Sequence, residues 1–544
     1  MRSARLIAIA AAAVFSVSCF SCSDNNRPPR ISRYRDKVKE FKIGQAGIDN
    51  DDSTDQLPER SNLDDVEESV RKLLDDIGRS DNEEAVKADI DSLLSMYDTI
   101  YEARTNAEFI FYRNYTDKHV EALYNEYYHD AAVAADLIMY GFNRGADSDY
   151  SSLFEKLVDK EGKEHYVYSL SSARAEAESS FLDIAETKSE YYEVINDASL
   201  SVGEKDLRCA ELLLELIEDY TPETFYTQYD RDYTGEEILE LGKTVSDKII
   251  PVYKEMLKDY FGTVSWSDYF SEDDSEENPF ETVREYAKTL SPEFDKYSQK
   301  LIDEKLYTVC YNDDAFEGAF TDELPTQNSA KIFIGNMGNS RNRLTTAIHE
   351  FGHYYASFFD ETHALMAKNN LDIAEIQSQG FELLFMQFYN DIYGKSGDSM
   401  KLYRILNIAD SIVCGFLVGE FEYSIISEKD SITPEEVVDK FNDLFEELEI
   451  DYHLSDIPHI IESPGYYISY ATSALASLDL LDDVMNDPAK ALEKYEKMAR
   501  ISNNSGEYSF RAALKECGFD DVLTKEYITS LAAKLKMYSK ELSR

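Results

Sequence analysis

The sequence predicts a mainly α-helical protein, a large multi-helix body with one small β-sheet beside a metal-binding helix. Three observations predict it. Glycine (22) and proline (12) are scarce for 544 residues, so few breakers interrupt helices. Apolar residues recur at spacings of three and four over long stretches, the period of a half-buried helix. Short β-branched and aromatic runs bounded by glycine and polar residues are confined to one section, 307–334. A hydrophobic content of 43% suffices for a folded core. The net charge of −52 argues against a nucleic-acid partner, which needs a basic patch, and reads as a solvated acidic surface.

The chain opens on residues that are not part of the fold. Arg2 and Arg5 precede an apolar run over 6–17, followed by Ser18 and Cys19. A basic start, an apolar run too short to span a bilayer and small residues at the cut make a secretory signal. A cysteine at the cut resembles a bacterial lipoprotein signal, so residues 1–22 are assigned to the signal and Cys19, in preference to Cys22, to lipidation. An acylated terminus holds a protein at a membrane without a spanning helix, and the expected location is extracytoplasmic and membrane-anchored. Residues 23–61 are polar, with Pro28-Pro29 and an acidic run at 49–55, and read as a disordered tether. Cys209, Cys310, Cys414 and Cys517 are too widely spaced for a C-x-x-C metal site and read as buried single thiols, with one long-range disulfide the alternative outside the cytoplasm.

Residues 62–262 read as an N-terminal helical region. Val66, Val70, Leu73, Leu74 and Ile77 share one face, as do Leu207, Ala210, Leu213, Leu214 and Ile217. The region 263–544 carries the chemistry. It begins with an acidic loop at 271–279, then a helix over 281–304. Strands are expected at 307–311 and 331–334, with Gly318-Ala319-Phe320 turning between them. Gly335, Gly338 and Asn339 then lead into a helix. A small sheet there could offer an edge strand to an extended peptide.

That helix contains His349-Glu350-Phe351-Gly352-His353, an H-E-x-x-H motif. Histidines at i and i+4 put both imidazoles on one face, one turn apart, with Glu350 beside whatever they hold. The chemistry this pattern serves is a zinc site whose glutamate takes a proton from water. Leu344, Ala347, Ile348, Phe351 and Tyr355 supply the apolar spacing that buries such a helix. Two residues compete as third ligand. His363 lies ten residues after His353, but Ala356 and Phe359 stand where a metzincin needs glycine and histidine. Glu375 lies on a second amphipathic helix over 372–385 and shares an apolar face with Glu382. A carboxylate on an apolar face must be paired or bind metal. Glu375 is the preferred ligand, with Glu382 supporting it.

His349-Glu350-Phe351-Gly352-His353, followed by Glu375-Ile376-Gln377-Ser378-Gln379-Gly380-Phe381-Glu382, resembles the thimet oligopeptidase and oligoendopeptidase F family, closest to the oligoendopeptidase F branch. The resemblance extends over 266–480, through Ile457-Pro458-His459-Ile460 and Pro464-Gly465-Tyr466-Tyr467-Ile468-Ser469-Tyr470-Ala471. It departs at Ala356 and at Asn342-Arg343. It implies a zincin-type helical peptidase split by a deep cleft, with one zinc ion per chain held by His349, His353 and Glu375. Glu350 would be the base, and His459, Tyr467 and Tyr470 would face the developing oxyanion. The implied activity is zinc metalloendopeptidase cleavage of short peptides. A zinc carboxypeptidase of the same class, or a peptide-binding lipoprotein without turnover, are the rival readings.

Overall fold

A computed structural model describes residues 59–158, 169–263 and 277–543, apart from 219, 228, 230, 313, 338, 447 and 449–451. The signal with Cys19 and Cys22, the tether up to residue 58 and the acidic loop up to residue 276 lie outside the described residues. Arg60, near the end of the stretch read as tether, forms a two-pronged ion pair with Asp130, at 2.8 and 2.9 Å.

Helices α1 (Leu63–Ile77), α2 (Glu83–Arg113), α3 (Lys118–Ala146) and the first part of α4 (Leu170–Asn196) enclose one apolar core. Val66, Val70 and Leu73 of α1 are fully buried in it, as their spacing predicts. Polar residues start these helices. Asn62, Asp117 and Ser169 each accept a hydrogen bond from a first-turn backbone N–H. A larger core begins with Tyr191 and Val194 of α4. It takes in α5 (Val202–Leu216) and α6 (Gly235–Thr263) and runs to the last described helix. Cys209, Cys310, Cys414 and Cys517 are buried free thiols.

The helix expected over 281–304 is two helices, Pro279–Ala287 and Pro292–Asp303. Ser291 caps the second and Pro292 opens it, the position where a missing N–H costs nothing. The sheet has three strands: β1 (Tyr307–Val309), β2 (Ala319–Leu324) and β3 (Ser329–Ile334). β2 occupies the place where a turn at Gly318-Ala319-Phe320 was expected. Its Thr321-Asp322-Glu323 run does not read as a strand, because its stabilising partners come from elsewhere in the chain. β3 is central, parallel to β1 and antiparallel to β2. Asn328 adopts the left-handed conformation at the β2–β3 turn, which asparagine tolerates.

Strand alternation gives the sheet two different faces. One face meets α2. The Phe320 and Phe333 rings lie 5.1 and 5.9 Å from that of Phe109. Asp322 accepts hydrogen bonds from Tyr101, Thr105 and Arg104, at 2.7, 3.1 and 2.8 Å. Thr321 lies on the other face, toward α7 (Ser340–Ser357). Helices α8 (Leu371–Phe385), α9 (Gly397–Glu428), α10 (Ile468–Ser477) and α11 (Lys525–Leu542) complete the larger body. Within Leu371–Glu428 an 18-residue window is apolar enough to cross a membrane, but 94% of it is buried inside the protein. It is core.

Candidate metal and catalytic site

Asn339 caps α7 by accepting from the Asn342 N–H at 2.9 Å. Ala347, Ile348, Phe351, Tyr354 and Tyr355 then anchor the helix in the core with no exposure. This fixes the opposite edge, where His349 and His353 retain 12% and 10% side-chain exposure. Asn370 caps α8 through the Ile373 N–H. The two helices approach closely at Gly352. A Cβ there would stand 2.6 Å from the Gln377 carbonyl oxygen and 2.7 Å from the Ser378 Cα. Only glycine lets the backbones come this near.

The approach brings Glu375 to the histidines. Its Oε2 lies 3.5 Å from His349 Nε2 and 3.8 Å from His353 Nε2. One ligand atom from each of the three residues falls within 4.8 Å of the others. Zinc bonds of about 2.0–2.2 Å in tetrahedral array separate their ligand atoms by roughly 3.3–3.6 Å. The donor set and its spacing fit zinc. His363 is elsewhere. Its Nε2 pairs with Asp98 at 2.8 Å, and its Nδ1 accepts from the Leu365 N–H.

The ligands His349 and Glu375 are held from behind. His349 Nδ1 donates to Glu382 Oε1 and so turns Nε2 toward the ligand set. Arg404 of α9 donates to the other Glu382 oxygen and, at 2.8 Å, to Asn407. Glu375 Oε2 accepts from Ser378 at 2.9 Å, and its Oε1 accepts from the Tyr466 hydroxyl at 3.0 Å. Burial opposes a charged Glu375. His349 and His353 outweigh it and hold the carboxyl down at about 2. Burial, helped by the neighbouring His349, pulls His353 down to about 4 despite the carboxylates beside it.

Glu350 has no exposed surface. Its Oε2 accepts from the Thr321 hydroxyl of β2 at 2.8 Å, and the same hydroxyl lies 3.1 Å from the Glu350 carbonyl. Among the described residues Oε1 makes no hydrogen bond. Burial pushes this carboxyl up to about 7, with His349 and Thr321 restraining the rise. A carboxyl poised there can take and return a proton near neutral pH.

His459 opens a one-turn helix, His459–Glu462. Its ring lies 5.2, 5.8 and 5.9 Å from those of Tyr466, Tyr467 and Tyr470. Tyr466 joins this aromatic group to Glu375. The structure thus gathers His349, Glu350, His353, Glu375 and Glu382 into one cluster and sets His459, Tyr467 and Tyr470 around the tyrosine that touches it. Thr321, Arg404 and Tyr466 escaped the sequence reading. Tyr466 stood inside a motif already singled out. Thr321 and Arg404 carry no local signal.

Comparison with known proteins agrees with this architecture. No family model matches the chain. Oligopeptidase PepF of Bacillus subtilis is 24% identical over 264 residues, 44% of this chain and 38% of that protein. The match thus spans well under half the length of this relative. Three solved structures share the fold over 89% of this chain. An oligoendopeptidase F covered over 97% of its length gives a TM-score of 0.71 at 15% identity. A PZ peptidase A with an inhibitor, covered over 98%, gives 0.71 at 14%. An oligoendopeptidase F from Bacillus anthracis, covered over 97%, gives 0.67 at 14%. The mainly α fold with a small sheet is therefore that of these structures, and the resemblance to the oligoendopeptidase F branch is supported by both kinds of comparison.

Proposed function

We propose that this chain is a zinc-dependent oligopeptidase of the oligoendopeptidase F type, cleaving internal bonds of short unfolded peptides outside the cytoplasm. The observation that carries the proposal is the convergence of His349, His353 and Glu375 beside a fully buried Glu350 with one unbonded oxygen. Peptide substrates are supported by the relatives, named as an oligopeptidase, a PZ peptidase and oligoendopeptidases. The basic-apolar leader ending at Cys19 supports a lipid-anchored, extracytoplasmic location.

A zinc ion on the three ligands would supply a Lewis acid that acidifies water and polarises the scissile carbonyl. The protein supplies the rest. Glu382 fixes the tautomer of His349, and Tyr466 and Ser378 fix both oxygens of Glu375. Glu350 Oε1 takes a proton from the attacking water and delivers it to the departing amine. His459, Tyr467 and Tyr470 are the proposed donors toward the oxyanion.

Product analysis tests the substrate mode. Peptides with blocked termini are expected to be cut internally by the full-length, zinc-loaded protein. Release of single C-terminal residues only, with blocked peptides untouched, would make the enzyme a carboxypeptidase. Saturable peptide binding without any product would make it a binding protein.

A further inference from the structure

We infer that Thr321 is a positioning residue for Glu350: its hydroxyl holds Oε2 and leaves Oε1 as the only oxygen of the base free to act. The inference rests on the hydrolase reading above and concerns how that chemistry is aimed. Thr321 Oγ1 stands 2.8 Å from Glu350 Oε2 and 3.1 Å from the Glu350 carbonyl oxygen. A hydroxyl has one proton to give. The shorter contact and the charged acceptor direct it to the carboxylate. Glu350 is fully buried and Thr321 half-buried, so solvent competes little for that bond.

The strand carrying Thr321 is itself fixed from the opposite face. Asp322, the next residue, is held by Tyr101, Thr105 and Arg104 of α2. Arg104 is buried and also pairs with Glu108. In the ladder, Thr321 pairs with Ile332 of the central strand, which has no exposure. The hydroxyl therefore sits on a rigid bracket, while an unrestrained Glu350 side chain could rotate about its own bonds. Reaction geometry tolerates little such freedom, and a displacement of about 1 Å can cost on the order of 100-fold.

The test compares wild type, Thr321→Val, Thr321→Ser and Glu350→Gln as full-length, zinc-loaded proteins. An internally quenched peptide gives kcat and KM, and metal analysis gives zinc content. Val keeps the shape and removes the hydroxyl. The expected result is a kcat lowered roughly 10- to 100-fold by Val, with KM and zinc content unchanged, and near wild-type kcat for Ser. Thr321→Ala replaces Val if the Val protein does not fold, with the same expectation. A hydroxyl-free variant with wild-type kcat overturns the inference, provided Glu350→Gln is inactive. Equal loss in the Ser and Val variants also overturns it, since packing would then be the cause. Full activity in Glu350→Gln overturns Glu350 as the base, and this inference with it, whereas no hydrolysis by the wild type overturns the hydrolase reading itself.

Discussion

Tyr466 donates its hydroxyl hydrogen to Glu375 Oε1 at 3.0 Å, across 91 residues of sequence. The contact ties the aromatic group around His459 to the ligand set, so the two halves of the proposed site are not independent. Tyr466→Phe removes that bond while Ser378 still holds Oε2. Losing such a support typically lowers metal affinity by about 10- to 100-fold. Competition with a chromophoric chelator is expected to show zinc held about 10-fold less tightly. An unchanged affinity would mean the tyrosine merely packs there.

Arg404 and Glu382 form a buried ion pair behind His349. Removing one partner of such a pair leaves a buried charge alone, at a cost of about 3–5 kcal/mol. Arg404→Met is expected to lose less than that, about 1–3 kcal/mol, in denaturant unfolding of the metal-free protein, because the protonated His349 still pairs with Glu382. A loss under about 1 kcal/mol, the range of an exposed pair, would show that solvent reaches Glu382.

Gly352 sets the separation of α7 and α8. Its absent Cβ leaves room for the Gln377–Ser378 backbone, which cannot swing away as a side-chain tip could. Gly352→Ala gains helix propensity of about 1 kcal/mol and still overpacks, a penalty of about 1–3 kcal/mol. The expected outcome is little net change or a modest loss of stability, with weaker zinc binding because His353 and Glu375 are pushed apart. Unchanged zinc affinity would show that the helices adjust without disturbing the ligands.

The metal-free site should hold a proton on His349. Burial works against the imidazolium, but Glu375 and Glu382 outweigh it and raise this histidine to about 10. Zinc takes only the neutral ring, so loading at pH 7 should release about one proton from His349. Calorimetry in two buffers of different ionisation heat measures it; release near zero contradicts the account. The raised value also sets the direction of stability. The contribution of His349 is fully present below the ordinary imidazole value of 6.5 and is lost as pH rises through about 10. Glu375 behaves oppositely. Its contribution is present above 4.5 and lost as pH falls through about 2. The stability gap between wild type and His349→Asn, both metal-free, should therefore narrow between pH 6 and pH 10.5.

What the sequence reveals follows from how far each interaction reaches. His349 and His353 share a helical turn, and Glu375 and Glu382 share a helix face, so periodicity alone pairs them. Thr321 and Arg404 meet Glu350 and Glu382 only after a strand and a long core helix pack against α7 and α8. No spacing rule connects them. The same reason hides β2, whose polar Thr321-Asp322-Glu323 run is stabilised by α2 and α7. The break at Ser291-Pro292 was local and readable from turn chemistry.

The central claim is that Glu350 acts as the base beside a zinc ion on His349, His353 and Glu375. Zinc content and kcat on an internally quenched peptide, for wild type and Glu350→Gln, test it most directly. The account predicts about one zinc per chain in both proteins and a loss of at least about 100-fold in kcat for the Gln variant, the lower end of general-base contributions. A wild-type rate in Glu350→Gln, or a wild-type protein that binds no zinc, would contradict it.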